Sequence, residues 1–486
     1  MKFARHTIYN LLGLGLPLIV AVFCIPILIS ELGAARFGLL TLIWAVVSYF
    51  GLFDLGLGRA LTQLLAVALT EGDSKKVGAL VATATVLMAA LGVVAGGVMF
   101  LLAPWGVGLI QSVPDRQEAI NAVLIMAFAM PAIVLTSGFR GILEAKNAFG
   151  IINLIRLPMG LFTFLGPVCV LLYGSTRLDM ITGVLAFGRI AACLVHAWFA
   201  WRVLPDSHGK LKISKDYLRP LCISGGWMTL SNVISPFMGY VDRFIIGGVV
   251  SAAAVAYYTT PQEIILRLWI VPGALTAVLF PAFAAQIAVD GSQVRDMFSR
   301  AIYYLFLVML PITAFIFNFT PEILNLWVGE RFAVESSIIM QIFTFGILIN
   351  CLAHIPYTLI QSAGSPRVTA LIHCLQFPFF IIMVWFMTSE FGLLGAAIAW
   401  LIRMIVDTAL MFGACIYLQK WSLKSFTGAR IYICVLVTAI AFGSGIIESI
   451  STRIIVVAMV GLCVALVAFR EYKEFVRKTE SSKCSI

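Results

Sequence analysis

Five arginines stand inside long apolar runs of this chain: Arg59, Arg189, Arg243, Arg267 and Arg403. Asp54, Asp242, Glu263 and Asp407 share those runs. A guanidinium stays charged at any physiological pH and presents a planar fork of N–H donors that matches the oxygens of an oxyanion. Placing one at the centre of a bilayer costs about 2.5–3.5 kcal/mol on insertion scales, so each needs a partner or a wet cavity. Spacing sorts them. Arg403 and Asp407 are four apart, as are Glu263 and Arg267, so each pair can neutralise itself along one helical face. Asp242 and Arg243 are adjacent, near the end of their run. For Asp242, Arg243, Glu263 and Asp407, and for Asp54, which has no Lys or Arg at helical spacing, two roles stay open: internal ion pair or coupling group. Arg59 has Leu55 and Gln63 one turn away, and Arg189 has Leu185 and Cys193. Neither has an anion within helical reach. Arg189 lies roughly ten residues, or ~15 Å, into its run. The expected anion-binding set is Arg59, Arg189, Arg267 and Arg403.

Other chemistries find no support in the residues. His196, His354 and His373 are too scattered for a metal site, no H-E-x-x-H occurs, and no Walker motif offers a phosphate cradle. The 10 Cys contain no C-x-x-C and sit almost entirely in apolar stretches, where they read as small packing residues. The expectation is a protein with no cofactor, no metal and no catalytic constellation, hence not an enzyme.

The elements that must hold these arginines follow from composition. The 486 residues are 61% hydrophobic and 12% charged, with a mean hydropathy of +1.02. A soluble domain carries about 25% charged residues to cover its surface, so a cytosolic enzyme is excluded. Disorder is excluded too, because it requires low hydropathy and high charge. A helix needs about 20 apolar residues to cross the hydrocarbon core. Fourteen segments meet this: 7–30, 38–68, 77–103, 118–143, 151–173, 179–203, 220–248, 252–283, 298–318, 336–361, 369–388, 393–418, 430–447 and 451–470. No alternating ten-residue strands suggest a barrel. The short basic stretch Met1–His6 leads into a run longer than a signal h-region, so it reads as the start of the first span. The fold expected is an all-α integral membrane protein with fourteen transmembrane helices.

The formal net charge of +10 has its explanation in orientation. With the N-terminus inside, 23 of the 33 Lys and Arg fall on the cytoplasmic side, 5 on the opposite side (Arg36, Arg116, Arg177, Arg331 and Arg453) and 5 within spans. By the positive-inside rule both termini are cytoplasmic, and no nucleic-acid partner is needed.

The chain also repeats. Leu143-Glu144-Ala145-Lys146-Asn147 corresponds to Ile360-Gln361-Ser362-Ala363-Gly364 at an offset of 217 residues, and the same offset carries Pro104 onto Pro321. Arg189 and Arg403 are 214 apart, each about ten residues into its span. Six spans per repeat is an even number, so the two bundles share one topology. The expected organisation is a six-helix bundle over 1–203, a cytoplasmic linker at 204–219, a second bundle over 220–418, and two extra helices with a tail over 419–486. Transporters built from parallel repeats place substrate between the halves and rock one against the other, so a central cavity is expected.

Leu32-Gly33 with Phe37-Gly38, Phe53-Asp54-Leu55-Gly56-Leu57-Gly58, Asp242-Arg243-Phe244-Ile245-Ile246-Gly247, and Pro321-Glu322-Ile323-Leu324 with Gly329-Glu330-Arg331-Phe332 carry a resemblance over nearly the whole chain. In their order and spacing they resemble the Wzx-type polysaccharide flippases of the multidrug/oligosaccharidyl-lipid/polysaccharide exporter superfamily. The resemblance implies export of isoprenoid-diphosphate-linked oligosaccharide units, such as those of lipopolysaccharide O-antigen, from the cytoplasmic to the periplasmic leaflet of a bacterial inner membrane. It further implies membrane lipids, a polysaccharide polymerase and a chain-length regulator as partners. Arg59 and Arg267 also resemble, by span, cavity arginines of the peptidoglycan-precursor flippases. A diphosphate suits several guanidinium forks, whereas a cation-coupled multidrug exporter, the alternative within the superfamily, suits carboxylates free of partners. A membrane glycosyltransferase or polymerase, the alternative of another class, needs catalytic residues on a sizeable outer loop. The longest such loop here, near 319–335, has no room for a catalytic domain.

Overall fold

The computed structural model describes residues 2–50, 57–204, 213–218, 221, 238–289, 293–421, 429–446 and 449–483. Every helix or strand element among them is a helix. In chain order these are α1 (Lys2–Phe50), α2 (Leu57–Thr70), α3 (Ser74–Leu109), α4 (Arg116–Ala145), α5 (Phe149–Leu172), α6 (Leu178–Val203), α7 (Val241–Val249), α8 (Ala252–Leu266) and α9 (Ile270–Val289). They continue with α10 (Val294–Asn318), α11 (Thr320–Val328), α12 (Glu330–Ser362), α13 (Pro366–Leu418), α14 (Ala429–Gly443) and α15 (Ile450–Lys483). A 3₁₀ turn at Arg267–Trp269 joins α8 to α9.

Ten helical stretches among the described residues are long and apolar enough to cross a membrane, and Leu57–Thr70 and Cys434–Gly443 are shorter apolar helices. The difference from fourteen has two sources. Part of each of the read spans 38–68, 220–248 and 430–447 lies outside the described residues. Elsewhere two read spans follow each other directly across a single kink. The 49-residue α1 and the 53-residue α13 are each far longer than one crossing requires. Each breaks at a single glycine, Gly33 (φ 72°) and Gly392 (φ 58°). That left-handed backbone is strained for any residue with a Cβ. A loop of several residues was not needed.

The chain divides into two compact units, Met1–Thr259 and Thr260–Ile486. In the first, α4 is the central helix, packing on α3, α6 and α2, while α5 packs on α1 and α6. The α3–α4 crossing is close because small residues face it: a Cβ added at Gly96 would lie 2.6 Å from the Ala127 carbonyl oxygen. Leu61, Leu65, Leu80 and Met88 of α2 and α3 are fully buried beside Val134 and Ile142 of α4. In the second unit α12 is central, packing on α9, α10, α11 and α13, and α15 packs on α10 and α14. Phe128, Leu172, Leu101 and Leu326 stand exposed, the outward apolar surface that hydrocarbon rather than water would cover.

The two turns that carry the sequence repeat share one conformation. Asn147 (φ 56°) and Gly364 (φ 75°) are both left-handed. Ala148 N–H donates to the Leu143 carbonyl at 2.8 Å, and Ser365 N–H donates to that of Ile360 at 3.1 Å. Both helices thus end in the same Schellman-type cap, at positions related by the 217-residue offset.

Candidate functional site

In the first unit, Arg189 lies within α6, its side chain partly exposed. Among the described residues it takes no hydrogen bond and no ion pair. Gly188 beside it lets α6 lie close to the Phe162 ring of α5. Arg59, at the start of α2, has an exposed side chain between the buried Gly58 and Ala60. Asp54 lies outside the described residues. Asp242 is wholly buried: it accepts from the Tyr258 hydroxyl at 2.8 Å and from the Arg243 backbone N–H at 2.9 Å. The Arg243 guanidinium sits 5.0 Å from the centre of the Tyr240 ring. Adjacency on a helix therefore does not produce a head-to-head pair here, because Asp242 points toward α8.

At the end of this unit where α6 begins, Glu118 is 7% exposed and ties three helices together. It accepts from the Leu178 N–H at the start of α6 at 2.5 Å and from Arg36 Nε at 3.3 Å. A carboxylate at a helix N-terminus satisfies a donor that has no intrahelical partner.

In the second unit, Glu263 and Arg267 form the i,i+4 pair expected from their spacing, at 3.3 Å, with the arginine half exposed. Arg267 opens the 3₁₀ turn between α8 and α9. Arg403 lies 4.8 Å over the face of Phe380. Asp407 has a fuller set of partners than spacing indicates. It accepts from Asn350 Nδ2 at 3.2 Å and Gln376 Nε2 at 3.2 Å, and lies 3.4 Å from His373 Nε2. Arg403, one turn earlier, adds its charge to the same surroundings. In the sequence His373 reads as one of three scattered histidines, and no motif there singles out Asn350 or Gln376. The available signal was polar residues at helical spacing in apolar runs: Asn350, His354 and Tyr357 on α12, and His373 and Gln376 on α13. His196 and His354 do satisfy themselves against the carbonyls of Ala192 and Asn350.

Residues 31–337 match the family described as "Polysaccharide biosynthesis protein". The chain is 31% identical over 418 residues to the "Putative O-antigen transporter" of Shigella flexneri, covering 85% of this chain and 97% of that protein. It is 22% identical over 231 residues to the "Probable low-salt glycan biosynthesis flippase Agl15" of Haloferax volcanii, covering 46% and 49%. Among solved structures, the lipid II flippase MurJ in an inward closed conformation superposes with a TM-score of 0.70 at 14% identity, over 96% of this chain and 99% of that one. An inward-facing multidrug resistance MATE family transporter of the MOP superfamily superposes at 0.69 and 17% identity, over 86% and 96%. These structural likenesses show the fold. The relatives are named as transporters and flippases rather than enzymes, and the chain, a multi-pass membrane protein, belongs to the polysaccharide biosynthesis protein family.

Proposed function

We propose that this protein moves isoprenoid-diphosphate-linked oligosaccharide units from the cytoplasmic to the periplasmic leaflet of a bacterial inner membrane by alternating access. The observation that carries the reading is Arg189, a guanidinium within an apolar helix with no partner among the described residues. Such a charge is retained against its transfer cost when an anion must meet it. Arg59 in the first unit, and Arg267 and Arg403 in the second, complete the set that takes the diphosphate as it passes. The two six-helix bundles, 1–203 and 220–418 with the linker 204–219, are the rocking elements. The matched caps at Asn147 and Gly364 support their equivalence. Asp54, Asp242, Arg243, Glu263 and Asp407 serve as ion-pair or coupling groups. A polymerase and a chain-length regulator receive the unit outside. The relative from Shigella, named an O-antigen transporter, supports the substrate class.

The test is deletion of the gene with the synthases intact. Completed lipid-linked units should accumulate on the inner leaflet while surface polysaccharide is lost. Blocked assembly of the unit itself would overturn the reading.

A further inference from the structure

The polar cluster around Asp407 has a shape and composition that phosphate binding does not use. Three helical faces converge on it: Asn350, His354 and Tyr357 of α12, His373 and Gln376 in the first half of α13, and Asp407 beyond Gly392. Its floor is closed, with Asn350 5% and Gln376 7% exposed. Its rim opens through Asp407 (side chain 16% exposed), His373 (25%) and Tyr357 (38%). A carboxylate, an imidazole and a phenol are costly to present to hydrocarbon, so a polar partner at the open edge is favoured. The rings of Tyr357 and His373 lie nearly parallel, 21° apart with centroids at 6.4 Å, at the partly exposed edge. At the floor, Gln376 gives its N–H to Asp407, while its Oε1 is buried with no donor among the described residues. A buried acceptor without a donor is unfavourable, and an O–H group would satisfy it.

We infer that this recess is a sugar subsite, holding a pyranose ring of the carried oligosaccharide. The inference rests on the flippase reading above and specifies where the neutral part of the substrate sits. A pyranose has hydroxyls around its edge, each both donor and acceptor, and C–H faces that lie flat on aromatic rings. Asp407 accepts from adjacent hydroxyls. The amides of Asn350 and Gln376 each offer one donor and one acceptor. The Tyr357–His373 rim takes the ring face. A diphosphate held at Arg403 leaves the Asp407 carboxylate, one turn on, to hydroxyl donors, since phosphate oxygens and a carboxylate repel. Hydroxyl-bonding sites discriminate strongly, since an absent hydroxyl leaves their buried polar groups without partners.

The experiment places the photoreactive residue benzoylphenylalanine separately at Tyr357 and at His373. The variants are expressed in the deletion strain, fed radiolabelled hexose and radiolabelled phosphate, and irradiated. The probe is the cell's own pool of lipid-linked saccharide. The expected adduct carries both labels. Gln376→Leu and Asn350→Leu, each added to the photoprobe variant, should lower it about tenfold, the loss that follows from removing a hydrogen bond in a buried network. Hexose without phosphate would mean that a free saccharide fills the recess, and phosphate without hexose that a phospholipid does. Either result, or a double-labelled adduct unchanged by Gln376→Leu and Asn350→Leu, overturns the subsite. Export by the wild-type gene in the same strain is scored independently. If export is restored but neither photoprobe variant captures hexose, the subsite falls and the flippase reading stands. If hexose is captured but deletion never impaired export, the flippase reading falls.

Discussion

Arg453, on the last helix, donates through Nη2 to the carboxylate of Glu322 on α11 at 2.7 Å, across 131 residues of sequence. Its Nη1 donates to the Asn318 carbonyl at the end of α10 at 2.6 Å. Asn318 in turn gives its amide N–H to the Ala441 carbonyl and accepts from the Ser444 hydroxyl. Both C-terminal helices are thereby fastened at one end of the second unit. The arginine is 8% exposed and Glu322 39%, so the pair is only partly desolvated. Arg453→Ala should lower stability by about 2 kcal/mol, discounted from the fully buried case. Glu322→Gln should lower it less. A double-mutant cycle on thermal unfolding of the purified protein in detergent measures the coupling, and additive effects would show that the pair contributes nothing.

Glu118 makes a second such prediction. Glu118→Ala removes the acceptor for the Leu178 N–H and the partner of Arg36 together, with an expected loss of about 1–3 kcal/mol. Glu118→Gln keeps an acceptor at Leu178 and should recover part of it. Equal losses from Ala and Gln would show that only the charge matters.

The α3–α4 crossing separates two neighbouring glycines. A Cβ at Gly96 would sit 2.6 Å from the Ala127 carbonyl oxygen, whereas one at Gly97 would meet nothing within 4 Å. Gly96→Ala should therefore force the helices apart and reduce folded yield and melting temperature. Gly97→Ala should be neutral or slightly stabilising, because alanine is the better helix former. Similar behaviour of the two variants would mean that the helices do not pack this closely.

For Arg189, Arg189→Ala should abolish export while the protein still inserts at normal levels. Arg189→Lys should restore only a fraction, since an ammonium lacks the bidentate fork. Surface polysaccharide measured beside membrane-fraction abundance checks both. Full export by a variant combining Arg59→Ala with Arg189→Ala would end the phosphate role of this pair.

Topology is testable without touching the site. Reporter fusions at Gly209 and at Ile486 should be active only for a reporter that works in the cytoplasm, as the distribution of 23 against 5 basic residues demands. A periplasmic signal at either position would reverse the orientation.

What the sequence by itself determined is what the bilayer and local geometry impose. Spans are legible because hydrocarbon tolerates only long apolar helices whose backbone bonds are internal. The Glu263–Arg267 pair is legible because four residues make one helical turn. The equivalence of Asn147 and Gly364 is legible because a left-handed cap selects few residue types. Tertiary structure alone decided the partners that come from other helices. Asp407 reads in sequence as the mate of Arg403, but its carboxylate is met by Asn350, 57 residues away, and by Gln376, 31 away. Arg36 and Arg453 enter a topology count as outer-side charges, yet each closes on a carboxylate of another helix. Helical periodicity fixes which residues share a face and says nothing of which face of which helix lies opposite. That depends on packing within each unit, where the two halves of α13 on either side of the break at Gly392 bring Gln376 and Asp407 within hydrogen-bond reach.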